Sequence, residues 1–406
     1  MTQQNKNVPK LRFPEFSGEW ENDKLGNYGH LINGLTYSPD NIVDVGLLVL
    51  RSSNVQHSQL SFNDNVYVNL SVPCENKTKK GDILICVRNG SKRLIGKNVI
   101  IPKDMPNTTH GAFMSVFRGS HNKFVSQWLK TSTYYREVHK NLGATINSIN
   151  GSDLKKFKVI FPEVPEQQKI ADFLSAVDER VDGLRRKKEL LEHYKKGVMQ
   201  KIFSQEIRFT QPDGSAFPDW KEKALGELTE KCTKKNSNNE IKTVLTNSAT
   251  QGIVSQTDYF DKDIANQNNL GGYYIVDKDD FVYNPRISVS APVGPIKRNH
   301  LGLGVMSPLY SVFRFKGGNK AFYERYFQTS CWYRYMNRIA NFGARHDRMN
   351  VTTVDFYNMP LPFPNHDEQQ LIADFLTSVD KKLEATALQL EQAQKFKKAL
   401  LQQMFV

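Results

Sequence analysis

Cysteine is scarce in this 406-residue chain. There are four, Cys74, Cys86, Cys232 and Cys331, with no CxxC pair and no histidine nearby. That pattern excludes a zinc site and a disulfide framework, and a reducing cytoplasm suits it. No run of eighteen apolar residues exists, which argues against a transmembrane helix, and residues 1–10, MTQQNKNVPK, lack the apolar centre of a signal peptide.

Catalytic signatures are missing as well. Gly90 to Gly96 followed by Lys97 and Asn98 imitates a phosphate loop. It has five residues between its glycines, however, and Asn98 stands where a Mg²⁺-binding hydroxyl belongs. Asn284-Pro285-Arg286 begins like the Asn-Pro-Pro-aromatic motif of amino-methyltransferases but lacks the second proline and the aromatic. Gly302 and Gly304 lack the third glycine of a dinucleotide loop. Pro218-Asp219 has no nuclease-like Glu-x-Lys at a workable distance, and His110, His121 and His139 do not have ligand spacing. All read as loop residues, so the chain is expected to be non-catalytic, with no metal and no cofactor of its own.

What the chain does have is a repeat. Residues 166–204, EQQKIADFLSAVDERVDGLRRKKELLEHYKKGVMQKIFS, return without a gap at 368–406 as EQQLIADFLTSVDKKLEATALQLEQAQKFKKALLQQMFV. In the first copy Ile170, Leu174, Val177, Val181, Leu184, Lys188, Leu191, Lys195, Val198 and Ile202 fall at alternating steps of four and three. The second copy repeats the spacing with Ile372, Leu376, Val379, Leu383, Thr386, Leu390, Ala393, Lys397, Leu400 and Met404. This is the seam of a coiled coil. Pro165 suits a helix start, and Asn365 and Asp367 are N-cap candidates for the second copy. Each helix should be roughly 55–60 Å long.

The repeat extends into the parts before the helices. LRFPEF at 11–16, Trp20 and Leu25-Gly26 are answered by IRFTQP at 207–212, Trp220 and Leu225-Gly226. KGDILI at 80–85 echoes KDDFVY at 278–283, and SVFR at 115–118 returns at 311–314. Thr131-Ser132 with Tyr135-Arg136 echoes Thr329-Ser330 with Tyr333-Arg334, and Gly143-Ala144 echoes Gly343-Ala344. Residues 46–51, 82–87 and 97–101 read as short strands. Residues 123–142 and 320–339 each read as one amphipathic helix. KVIFP at 158–162 and PLPFP at 360–364 are extended segments that proline keeps out of the helices that follow. The expected architecture is α+β: two similar globular domains, 1–162 and 205–364, each followed by a spacer helix, 163–204 and 365–406.

Charge is unevenly spread over the net +13. Residues 1–160 hold 21 Lys and Arg against 12 Asp and Glu, and residues 205–364 hold 20 against 16, while the helices are nearly balanced. Basic globular parts are the electrostatic footprint of a nucleic-acid binder.

Two divergent basic domains, each followed by an EQQ-x-IADFL-x-x-VD helix, resemble the specificity subunits of type I restriction-modification systems. The likeness spans nearly the whole chain. It rests on 161–178 and 363–380, the two Trp-x4-Leu-Gly stretches, and Gly81-Asp82-Ile83-Leu84. It implies that each globular part is a target recognition domain reading one half of a split double-stranded DNA site. The helices would hold the domains apart as an antiparallel, pseudo-two-fold coiled coil and dock two modification subunits. Two restriction subunits would join for cleavage. S-adenosylmethionine for adenine methylation would sit in the modification subunit, and ATP and Mg in the restriction subunit. A bar of roughly 55–60 Å would bound the gap at on the order of 17 base pairs. The seam residues above, flanked by Phe173 and Phe375, would pack helix on helix, with Ile170 meeting Leu400 and Leu191 meeting Ile372. Lys188 and Lys195, which interrupt the seam, could face the modification subunits or reach into solvent.

For reading bases, Arg51, Ser52, Ser53 and Asn54 lead in the first domain, because Arg and Asn pair with guanine and adenine edges. Arg88, Asn89, Ser91, Lys92, Arg93 and Lys97 form a basic loop after a strand, joined by Thr145 and Asn147. Their counterparts are Asn247, Arg286, Ser288, Lys297, Arg298, Arg345, His346, Asp347 and Arg348. Two other classes stand beside this reading: a catalytic fusion without a recognisable motif, and a coiled-coil adaptor that does not bind DNA. A specificity subunit of a related system, with methylation and cleavage on one partner polypeptide, shares every feature named.

Overall fold

The computed structural model describes residues 7–142, 147–259, 270–340 and 347–406. The chain divides into two compact units, residues 1–185 with 387–406, and residues 186–386. The dividing points lie inside the two long helices, Val164–Phe203 and His366–Met404. No helix among the described residues is long and apolar enough to cross a membrane.

In the first unit an antiparallel sheet runs in the order His30–Asn33, Met114–Arg118, Ile83–Cys86, Asn98–Ile100. Val116 pairs with both Ile32 and Leu84. The central strands are buried on both faces, and ILIC at 83–86 accordingly reads as a continuous hydrophobic run. Beside it lies a mixed sheet ordered Thr108–His110, Leu47–Leu50, Tyr67–Val68, Ile42–Val43, in which the first two strands are parallel. A two-stranded ribbon, Glu21–Lys24 on Lys158–Phe161, brings the end of the globular part back to its beginning. The long helix starts directly after this ribbon.

The second unit repeats the antiparallel sheet as Thr229–Lys231, Ser311–Phe315, Phe281–Tyr283, Ile296–Arg298. It repeats the ribbon as Lys221–Ala224 on Pro360–Phe363. The KGDILI and SVFR echoes are therefore neighbouring strands, and an ion pair explains why both recur. Arg118 grips buried Asp82 with Nε and Nη2 at 2.8 and 2.7 Å, and Arg314 grips buried Asp280 at 2.6 and 3.0 Å. Removing either arginine would leave a buried carboxylate without its counter-charge.

The predicted helices 123–142 and 320–339 are each two. The first is Asn122–Trp128 and Ser132–Lys140, and the second is Lys320–Tyr326 and Tyr333–Ile339. The breaks fall on the echoed Thr-Ser pairs. The Thr131 hydroxyl bonds the Trp128 carbonyl at 2.7 Å and accepts from the Tyr134 N–H, ending one helix and capping the next. Thr329 bonds the Tyr326 carbonyl in the same way. This local side-chain bonding outweighs the amphipathic period.

The EQQ-x-IADFL-x-x-VD motif is a set of clamps between helix and domain. Buried Glu166 receives Arg12 at 2.8 and 2.7 Å, and buried Glu368 receives Arg208 at 3.2 and 2.9 Å and the Trp220 indole at 2.9 Å. Gln167 and Gln369 donate to the carbonyls of Pro162 and Pro364. Phe173 meets Phe13 edge-on at 5.7 Å, and Phe375 meets Phe209 at 5.6 Å. The aromatic of IADFL thus holds the domain's first segment and lies off the helix seam. Asn365 caps the second long helix, accepting from the Asp367 N–H at 2.8 Å.

Every residue of the predicted seams is buried or half-buried. Within the first unit Ile170 and Leu174 share a core with Leu400, Met404 and Phe405. Within the second, Ile372 and Leu376 share one with Met199, Ile202 and Phe203. The helices are antiparallel in each unit. The register differs from the expected one, because Ile372 joins residues near Ile202 in place of Leu191. The motif aspartates fix it. Asp178 pairs with Lys397 and, at 2.8 Å, with Lys130. Asp380 pairs with Lys195 and Arg325, both at 2.6 Å. Lys195 is therefore a contact between the two helices, spent on Asp380. Lys188 pairs along its own helix with Glu192 at 2.9 Å. Burial pushes the Asp178 carboxyl up, but Lys130 and Lys397 outweigh it and hold it below the usual range.

Candidate nucleic-acid interface

The first unit gathers most of its predicted reading residues at one place. Asn89 donates to the Ser52 hydroxyl at 3.0 Å, Lys97 Nζ donates to the Ser52 carbonyl at 3.2 Å, and Asn147 donates to the Gly90 carbonyl at 2.9 Å. The segment after strand Leu47–Leu50 and the loop after strand Ile83–Cys86 are thereby tied together. Arg88, Ser91, Lys92 and Arg93 are exposed. Burial holds Lys97 below the usual lysine range. Asn54 is placed otherwise. It is fully buried, and its amide donates to the carbonyls of Ser61 and Asp64 and to Asn65. It builds the loop and has no amide left for a base. Thr145 lies outside the described residues.

Next to this basic edge is a cleft of about 540 Å³. Its walls are apolar, with Leu35, Tyr37, Ile42 and Phe113, and its rim carries Arg51, Ser53 and Asp64. Arg51 pairs with Asp64 at 2.8 Å. The floor is a close backbone approach. Leu35 N–H donates to the His110 carbonyl and Ala112 N–H to the Leu35 carbonyl. A side chain at Gly34 would collide with the Gly111 carbonyl. His110 beneath it is buried, touches the Ile32 carbonyl at 3.0 Å, and is pushed down to about 4 by burial.

The second unit opens a cleft of about 430 Å³ at the corresponding turn. Residues 110–118 and 306–314 align without a gap through SVFR, so Phe113 corresponds to Leu309 and His110 to Met306. Here the lining is more polar, with Thr246 bonded to Tyr310 at 3.1 Å, Ser248, Asn284, Arg286 and Arg348 beside Ile287 and Leu309. Arg286 and Arg348 are bridged strand-like, and Asp347 lies 3.9 Å from both guanidinium groups. Ser288 sits at the exposed tip of that loop, bonded to the Ala291 N–H.

Three predicted residues of the second unit serve the scaffold. Asn247 is buried and donates to the carbonyls of Val282 and Pro295. Arg298 is spent on Asp279 at 2.7 Å and Glu324 at 3.4 Å. Lys297, next to it, is held below the usual lysine range by burial, with Glu324 and Lys195 as charged neighbours. Lys297 and Arg298 are not part of the cleft that holds Arg286 and Arg348, whereas Asn247 stands in its wall with its amide N–H groups spent. Arg345 and His346 lie outside the described residues. Sequence reasoning missed Tyr37 and Phe113 in the first cleft and Asn284, Leu309 and Tyr310 in the second. The gapless match of 110–118 to 306–314 held the signal, since it sets a large apolar residue in a turn twice.

Comparison with known proteins agrees over the whole chain. Residues 17–193 and 218–393 each match the family described as type I restriction modification DNA specificity domain. A relative from Methanocaldococcus jannaschii, provisionally named a type I restriction enzyme MjaX specificity subunit, is 24% identical, covering 97% of this chain and 95% of its own. The EcoKI specificity subunit of Escherichia coli is 27% identical over 42% of this chain and 39% of its own. Among solved structures, a type I restriction-modification S subunit from M. genitalium superposes with a TM-score of 0.57 at 17% identity, covering 98% and 99% of the two chains. A chain from a study of complex assembly and conformational transition in a type I system gives 0.53 at 15% identity, covering 95% and 97%.

Proposed function

The chain belongs to the type I restriction-modification DNA specificity family, and from that premise we propose that each unit reads one half of a split DNA site through its own cleft. The observation that carries this reading is the pair of clefts. The same turn opens both, arginines stand in both, and the remaining lining differs. One frame with two unlike surfaces suits two unlike half-sites. Arg51 and Arg88 on one unit, and Arg286 and Arg348 on the other, are the candidates for base edges. Lys92 and Arg93, exposed beside the first cleft, suit phosphates, whose contacts position a protein without specifying sequence.

The long helices, 40 and 39 residues, act in this reading as the ruler between half-sites and as the seat for modification subunits. The assembly would hold two modification subunits, which bring S-adenosylmethionine and methylate adenine, and two restriction subunits, which bring ATP and Mg for cleavage. This chain contributes recognition and no chemical step.

The test is methylation mapping of DNA exposed to this chain assembled with its methyltransferase partner. A two-part motif with a fixed gap is expected. Inserting four residues in the middle of both long helices adds roughly 6 Å to each. The gap should then lengthen by about one or two base pairs at the ~3.4 Å spacing of successive charges along one strand, with both half-sites unchanged. A continuous motif, or altered half-site bases at an unchanged gap, would overturn the reading.

A further inference from the structure

Phe113 is the largest exposed apolar side chain beside the first cleft, 56% accessible, and it is rigidly mounted. It sits in the three-residue connection, 111–113, between strands Thr108–His110 and Met114–Arg118. Its carbonyl accepts from the N–H groups of both Val87, at 3.0 Å, and Arg88, at 3.1 Å. The Arg88 guanidinium lies 5.7 Å from the ring centroid. An aromatic ring held this firmly in water, among cations, is preorganised for a partner.

The cleft behind it narrows the choice of partner. Tyr37 and Ile42 continue the apolar wall, and Ile42 is itself 49% accessible. Two polar atoms of the rim residues, Arg51 Nε and Ser53 Oγ, are buried and have no hydrogen-bond partner among the described residues. The Asp64 carboxylate there is balanced by Arg51. An apolar wall next to an unspent N–H and a hydroxyl is the complement of an acceptor next to a methyl group. In the major groove thymine presents that pair, O4 beside the C5-methyl, and no other base carries the methyl.

Resting on the reading that the first unit binds DNA, we propose that Phe113 and the cleft behind it recognise the C5-methyl of a thymine in that unit's half-site, with Arg51 or Ser53 donating to its O4. Phe113 is a specificity-determining residue in this assignment. The second unit, with a more polar cleft and Leu309 at the matching turn, reads its half-site mainly through Arg286 and Arg348.

The experiment measures binding of the chain assembled with its methyltransferase subunits to duplexes carrying the mapped motif. Each thymine of the first half-site is replaced in turn by deoxyuridine, which removes only the methyl. One replacement should weaken binding of the unaltered protein by about fourfold or more, the worth of one buried methyl group. Phe113→Ala should bind the thymine duplex correspondingly less and gain no further loss from deoxyuridine. Phe113→Leu should keep part of the discrimination. Binding of Phe113→Ala to deoxyuridine duplexes altered only in the second half-site should follow the unaltered protein, which separates a lost contact from a lost fold.

An unchanged thymine-to-deoxyuridine ratio in Phe113→Ala would overturn the assignment, as would a first half-site without an A·T pair. So would fluorescence of a 2-aminopurine beside the thymine that rises with Phe113 and not without it, because the ring would then be a wedge between bases. If scrambling the whole first half-site left methylation unchanged, the DNA-reading function itself would fall. That result is distinct from a failure of Phe113 alone.

Discussion

The two units agree where charge is buried and disagree where side chains face the clefts. Arg12 with Glu166 and Arg208 with Glu368, Arg118 with Asp82 and Arg314 with Asp280, and Asp178 with Lys397 and Asp380 with Lys195 are the same three joints made twice. At the turn before SVFR the first unit has His110, Phe113 and an apolar cleft, and the second has Met306, Leu309 and a more polar one. Buried ion pairs tolerate no change of one partner at a time. Cleft residues carry no such constraint, so surfaces can diverge on a frame that cannot.

The largest expected effect breaks the agreement. Asp178→Ala strands Lys130 and Lys397, each about a fifth exposed, without a counter-charge. A loss of about 3–5 kcal/mol is expected, confined to the first unit. Asp380→Ala should do the same to the second. Hydrogen exchange read unit by unit checks it, and equal loosening of both units by either change would refute separate joints.

A pH effect sharpens the disagreement. His110 is pushed down to about 4 in the folded chain, while an exposed histidine titrates near 6.5. Between those values the unfolded chain binds the proton and the folded chain does not. Stability is therefore fully present above about 6.5 and declines as pH falls toward about 4, by roughly 3 kcal/mol. Met306 cannot titrate, so the second unit should lack this component. Urea unfolding of the chain and of His110→Met across that range decides it. A pH slope that His110→Met leaves intact would place the effect elsewhere.

At the clefts, Arg51→Ala should relax preference only in the half-site of the first unit, and Arg286→Ala only in that of the second, each by about 1–3 kcal/mol at one position. Methylation mapping reads both at once, and a change in the wrong half-site would end the two-reader scheme. The smallest effect belongs to Arg298→Ala. Because its guanidinium is spent on Asp279 and Glu324, it should lower stability of the second unit and leave both half-site sequences as they were.

The helices were legible because a seam repeats every three or four residues and needs no distant partner to declare itself. The strands at 46–51, 82–87 and 97–101 were legible for the same reason, as short apolar runs between turn residues. What stayed hidden depends on contacts far apart in the chain. The KGDILI and SVFR echoes stand out separately, but only the fold joins them as neighbours through Arg118 and Asp82. Lys195 looks like an error in a seam until Asp380 is set against it. Asn54 and Asn247 have the right chemistry for a base and are spent on backbone carbonyls, which composition cannot reveal. Arg286, Asp347 and Arg348, picked out as a basic loop, lie together at one cleft because they are close across a single strand-like bridge.

The first unit includes residues 387–406, which are synthesised after the whole of the second unit. Phe405 packs against Trp20 and Phe124, Leu11 N–H donates to the Gln403 carbonyl, and Thr133 donates to the Val406 carbonyl. On the ribosome the first domain therefore emerges with an aromatic socket open and Lys130 answering Asp178 alone. It must wait for about two hundred further residues before that socket closes, at synthesis rates of roughly 5–20 residues per second an interval of some ten to forty seconds. Through that interval the socket is an exposed apolar surface of the kind that chaperones bind, and a nonsense codon ahead of residues 387–406 would damage the domain translated first.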